Sequence, residues 1–195
     1  MANAKWRTRA IRVKRVQRFI DITILLSLIV FLIQYLPREV LSEFPATGGD
    51  TGSHFWPLVT LFEHGFPNFS LRTWNPGNLL GEPHLVHYFP LPFVIMAVLG
   101  FFMPLGTAFN IGTLIPLALL PHSVYFFAKK LKLPFPIPIV AAVAVVPSIY
   151  NESYTMLGGN TLSLLAGQFA HLYAFCFFFL GLGFLVSDLK KGKVS

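Results

Sequence analysis

Thirteen of the fifteen Lys and Arg residues fall into three tight clusters, at residues 5–18, 129–132 and 190–193, with long apolar stretches between them. Moving such clusters across a bilayer during insertion is unfavourable, so positive residues that flank apolar runs stay on the cytoplasmic side. All three clusters are therefore assigned to one compartment. Only Arg38 and Arg72 lie elsewhere, in a segment that also carries five of the eight acidic residues: Glu39, Glu43, Asp50, Glu63 and Glu82.

Composition narrows the class further. At 54% hydrophobic and 12% charged, with 21 Phe, a soluble chain of 195 residues would lack the polar surface to cover its core. The net charge of +7 raises nucleic acid as a partner. No basic face with interleaved aromatics appears, however, and basic residues bracketing apolar runs act as anchors at anionic headgroups, so nucleic acid is set aside. Cys176 is the single cysteine, which excludes a disulfide framework. The basic N-terminus ahead of an apolar run superficially resembles a signal peptide, but that run is too long and lacks a small-x-small cleavage site, which marks it as a retained anchor.

Four stretches approach the roughly 20 residues that a ~30 Å hydrocarbon layer requires: 19–36, 106–128, 134–150 and 165–186. A fifth apolar stretch, 88–104, contains Pro90 and Pro92, which are expected to delay a regular helix until Phe93 and leave a segment of re-entrant or interfacial length. If it crossed, the cluster at 129–132 would lie outside, so charge favours four crossings. The sequence thus predicts an all-α integral membrane protein of the cell membrane: a basic cytoplasmic N-terminus (1–18), a first span (19–36), a long outside loop (37–105), and three further spans ending in a cytoplasmic C-terminus (106–195). The outside loop reads as an amphipathic surface helix after Ser53 that stops at Gly65, then an ordered loop over 68–83 with a turn at Asn75-Pro76-Gly77. Pro116, Pro121 and Pro147 fall inside spans, and Gly167, Gly181 and Gly183 are positions for close helix packing.

Asp50 is the leading candidate for chemistry. It follows Gly48-Gly49 a few residues beyond the first span, where flexible backbone holds a carboxylate near the outer surface, and it reads either as a general base or metal ligand or as a cap of the following helix. His54 lies four residues on. His84 and His87 have metal-compatible spacing but no fixed third ligand, so no metal site is assigned, and a divalent cation is left open as cofactor. Glu152 is the only acidic side chain of the second outside loop. Arg72 and Arg38 are the only outside cations of fixed charge available for a phosphate.

These residues carry a family resemblance. A basic N-terminus, one span, Gly48-Gly49-Asp50-x-x-x-His54, then Trp74-Asn75-Pro76, Gly81-Glu82-Pro83, Tyr88-x-Pro90-Leu91-Pro92 and later Tyr125-Phe126-Phe127-Ala128-Lys129-Lys130-Leu131 resemble the start of the GT-C class of polytopic glycosyltransferases. More narrowly, they resemble prokaryotic membrane proteins labelled 6-pyruvoyl-tetrahydropterin-synthase-related. The resemblance covers nearly the whole chain and implies a polyprenyl-phosphate sugar donor and a membrane-lipid environment. It further implies Asp50 as the catalytic base and Arg72 as a phosphate contact, with Glu152 standing alone where a second catalytic acidic residue is expected; His54, His84 and His87 complete the candidate substrate contacts. Such enzymes continue with further spans, so the chain is expected to associate with itself or a larger membrane partner and to be inactive alone. The rival reading is a small non-catalytic membrane subunit of a larger complex.

Overall fold

The computed structural model describes residues 2–34, 38–77, 80–151 and 158–192. Three of its helices are long and apolar enough to cross a membrane: Ile11–Gln34, Leu105–Lys130 and Thr161–Leu189. The first of these belongs to α1 (Ala2–Gln34), which continues without interruption through the basic N-terminal cluster. Basic residues are good helix formers, so nothing in residues 2–18 breaks the helix that the apolar run propagates.

The chain then makes a 3₁₀ turn (Arg38–Leu41) and enters α2 (Thr51–Thr60), which runs on through a π turn (Leu61–Gly65) into a 3₁₀ turn (Phe66–Asn68). The following loop holds two short strands, β1 (Thr73–Asn75) and β2 (Glu82–His84). They pair antiparallel with Thr73 opposite His84, Trp74 opposite Pro83 and Asn75 opposite Glu82. The ordered loop expected over 68–83, with its turn at Asn75-Pro76-Gly77, thus contains a short strand pair. Next comes α3 (Pro90–Gly100), 11 residues long. Its start corrects the expectation that the prolines delay it: Pro90 opens the helix, where its missing N–H would have had no partner anyway.

α4 (Leu105–Lys130) is the centre of the packing. α5 (Ile137–Ala144) and α6 (Val146–Ile149) follow as two pieces, then α7 (Thr161–Ser163), a π turn (Leu164–Gln168) and α8 (Phe169–Leu189). α8 runs parallel to α4: the Tyr173 hydroxyl donates to the Gly112 carbonyl at 2.6 Å, Cys176 Sγ contacts the Pro116 carbonyl, and Lys190 Nζ donates to the carbonyls of Lys130 and Leu131. Parallel neighbours require the chain to return between them. α5 and α6 make that return, because Thr161 Oγ1 donates to the Ile149 carbonyl and Asn160 Nδ2 to that of Asn151, at the end remote from Lys130. At 8 and 4 residues, the two pieces with the residue between them cover only about 20 Å. α1 runs opposite to α4, with Asp21 at Tyr125 and Lys129 near one end and Phe31 edge-on to Tyr150 at the other.

One of the two prolines of α4 has a polar partner to compensate it. Pro116 has no N–H for the Gly112 carbonyl, and Tyr173 fills that acceptor. A core of Phe93, Met96, Phe109, Phe169, Leu172 and Cys176 joins α3, α4 and α8. Of the glycines expected to admit close helix contact, Gly183 faces the Phe126 ring, whereas Gly181 has nothing near it. Gly167 has a different role, described below.

Candidate active site

The loop carrying Asp50 is built by a break in the opposite helix. Gly167 adopts φ 106°, ψ −1°, which interrupts the helical path that begins at Thr161. A helix broken there leaves carbonyls outside its own ladder, and they need other donors. The Asp50 loop supplies them: Asp50 N–H donates to the Ala166 carbonyl at 3.0 Å, and Thr51 Oγ1 donates to the Leu165 carbonyl at 2.7 Å. The fit is close, since a Cβ on Gly49 would strike the Ala166 carbonyl and one on Gly167 would lie 3.0 Å from Asp50 and Thr51. Glycine at 49 and 167 is thus a steric requirement of the docking, and both positions have positive φ.

Asp50 occupies the N-cap position of α2, yet its side chain makes no cap hydrogen bond. At this turn the Thr51 N–H donates to the Gly48 carbonyl at 2.9 Å, and Ser53 Oγ donates to the Asp50 carbonyl. The Asp50 carboxylate is left exposed. That arrangement weighs against the reading of Asp50 as a side-chain cap.

His54, one turn on, is 8% exposed and packed among aromatic rings: Phe169 edge-on at 5.4 Å, with Phe89, Phe93 and Tyr88 around it. The Tyr88 hydroxyl lies 3.3 Å from His54 Nε2. Burial lowers the His54 pKa, while the Asp50 charge and a hydrogen bond to the Gly167 backbone oppose that shift only in part. The net effect keeps the ring neutral near pH 7. Burial and the Asp50 charge both raise the Tyr88 pKa, so it stays a phenol.

Beside this pair is a cleft of about 410 Å³ lined by Ser53, His54, Glu82, His84, His87 and Tyr88 among others. His84 forms its inner wall as part of a closed network. Its Nε2 lies 2.9 Å from Glu82 Oε1 and its Nδ1 3.0 Å from Thr60 Oγ1, while Asn75 Nδ2 donates to Glu82 and Trp56 Nε1 donates to Asn75 Oδ1. His84 therefore ties the hairpin to α2. His87 is exposed on the cleft rim.

Sequence reasoning placed Asp50 and His54 together, and the structure brings them within electrostatic reach. Arg72 stands apart: it is exposed ahead of β1, its backbone tied to Ser70, and does not line the cleft. Glu152 lies outside the described residues. Among those residues, no group of three or more His, Cys, Asp or Glu could hold a metal ion. Two polar cleft residues, Glu82 and Tyr88, were noted in the sequence without being named as candidate site residues. The alternation Glu82-x-His84 was the available signal, since alternate residues of a strand share a face.

Comparison with known proteins yields no match, whether to family models, to curated proteins or to solved structures.

Proposed function

We propose that this chain is a polytopic membrane protein of the GT-C-like type, the N-terminal module of a glycosyltransferase that uses a polyprenyl-phosphate sugar at the outer membrane face. In this reading α1, α4, the broken α5–α6 return and α8 with its preceding turns are four crossings. The return is short for a ~30 Å layer, and the apolar residues around it and the loop before α5 complete the distance. The described residues of the basic clusters gather at one end and Asp50 sits at the other, as a cytoplasmic and an outer face require.

The observation that carries the functional reading is the fixed but uncapped Asp50 carboxylate, docked on the Gly167 break at the outer end of the bundle. Backbone hydrogen bonds hold it in place, and its oxygens remain free for a substrate. Asp50 accepts the proton of an acceptor hydroxyl as that oxygen attacks the anomeric carbon of the sugar, and polyprenyl phosphate departs. Tyr88 and His54 shape the adjoining cleft, and His87 is the histidine placed to meet substrate there.

The test is Asp50→Asn in the complete, active assembly, followed by transfer of labelled sugar from a lipid-linked donor. Turnover is expected to drop by about a hundredfold or more with expression unchanged, since a general base contributes roughly 10²–10⁴-fold. Unchanged turnover would reduce Asp50 to a structural residue of the loop.

A further inference from the structure

The basic end of the bundle, remote from Asp50, holds a cavity of about 590 Å³ between α1 and the turn that follows α4. Lys14, Arg15, Arg18 and Lys129 line it, with Asp21 the only carboxylate in its wall. Asp21 is 4% exposed and already engaged: its Oδ2 accepts from the Tyr125 hydroxyl at 2.8 Å and lies 3.7 Å from Lys129 Nζ. Lys14, Arg15 and Arg18 have no ion pair among the described residues. Arg18 lies three residues from Arg15 and four from Lys14 on the same helix, so like charges meet there and repel, and an anion between them relieves that repulsion. Arginine adds geometry, because its fork of N–H donors matches the oxygens of a phosphate.

The cavity is also amphiphilic. Lys14, Arg18, Ile22 and Leu26 form a stripe at four-residue intervals along α1, in which cations give way to apolar side chains that are 50% and 57% exposed. Ile11 and Phe135 add apolar wall beside the cations. A free anion would use only the charged half of this surface. A phospholipid would use all of it, its phosphate among the cations and its acyl chain along Ile22 and Leu26.

From these observations we propose that the cavity is a phospholipid site: a phosphate group held by Arg15 and Arg18, with an acyl chain lying on the exposed stripe of α1. The site is separate from the one proposed for sugar transfer and rests only on the membrane reading of the chain. Its occupancy would fix the height of α1 in the bilayer and its packing on α4.

The experiment reconstitutes the full chain in mixed phosphatidylglycerol and phosphatidylcholine vesicles, extracts it in mild detergent, and counts retained lipid by native mass spectrometry. Retention of phosphatidylglycerol in preference to phosphatidylcholine is expected, lost in Arg15→Gln/Arg18→Gln and kept in Lys132→Gln/Lys191→Gln, which removes equal charge outside the cavity. Equal loss in both variants would show diffuse surface attraction and overturn the proposal, as would displacement of the lipid by millimolar inorganic phosphate, which would mark a site for a soluble anion. Flotation with pure phosphatidylcholine vesicles does not depend on this site. It reports separately on whether the chain inserts at all.

Discussion

Asp50 and His54 belong to opposite regimes of solvation although they are one helical turn apart. The carboxylate faces water, whereas the imidazole is enclosed by Phe89, Phe93 and Phe169, and for the imidazole burial outweighs the nearby negative charge. Because its folded pKa is lowered beneath the unfolded value of 6.5, the folded state binds fewer protons across the interval between the two values, and stability rises with pH there. The contribution is complete above about pH 6.5 and is lost as pH falls toward the lower folded pKa. Thermal unfolding of the purified chain between pH 8 and 5 should therefore show a decline on the acid side, and His54→Gln should flatten it. A decline of equal size in the variant would assign the effect to other groups.

At the scale of elements, the break at Gly167 is a device for presenting Asp50. A continuous helix from Thr161 to Leu189 would keep the Leu165 and Ala166 carbonyls in its own ladder, and the Asp50 loop would lose both anchors. Gly167→Ala places a methyl 3.0 Å from Asp50 and Thr51 at a backbone angle that L side chains avoid. The expected cost is about 1 kcal/mol or more, with loss of turnover comparable to that of Asp50→Asn. Gly181→Ala, whose Cβ meets nothing, is the control and should be neutral in both thermal unfolding and sugar transfer. The hairpin is a second presented element. Asn75→Ala removes the acceptor of Trp56 Nε1 and of the Gly77 N–H and a donor to Glu82, and should loosen the cleft wall, seen as raised amide exchange over residues 73–84.

For the molecule as a whole, two expectations follow from the membrane reading. Cysteines at Lys132 and Lys191 should resist an impermeant thiol reagent applied from outside, and one at the exposed Gly52 should react. Buried Cys176 stays silent in that assay. Labelling at 132 with protection at 191 would show that α3 crosses after all. The second expectation concerns assembly. Phe44, Phe69, Phe101 and Phe102 are all more than 60% exposed outside the three long helices, and α1 and α8 expose further apolar side chains along their length. Lipid can cover the helices, yet lipid is as apolar as these side chains, so hydrophobicity alone does not hold the bundle in one arrangement. Light scattering of the purified chain in mild detergent should report self-association or a co-purifying membrane partner. A monodisperse monomer that transfers sugar would refute this.

Three of the four expected spans, the short helix after Tyr88 and a helix through Ser53 were legible in the chain itself, because apolar length, basic flanks and glycine or proline stops are local properties, whereas the fourth stretch, 134–150, folds as two short pieces. The isolation of Asp50 behind two glycines was legible too. Contacts between distant residues were not. The pairing of Asp21 with Tyr125 and Lys129 depends on how α1 packs against α4. His84 and His87 read as a pair, and the fold separates them into a buried strut and an exposed rim residue. Gly167 reads as a helix-packing glycine, and only the meeting of the π turn with the Asp50 loop reveals it as the hinge that fixes the carboxylate. Local patterning sets which segments become helices, since each turn satisfies its own backbone. Which side chains meet is decided by the packing of those helices, which no single segment encodes.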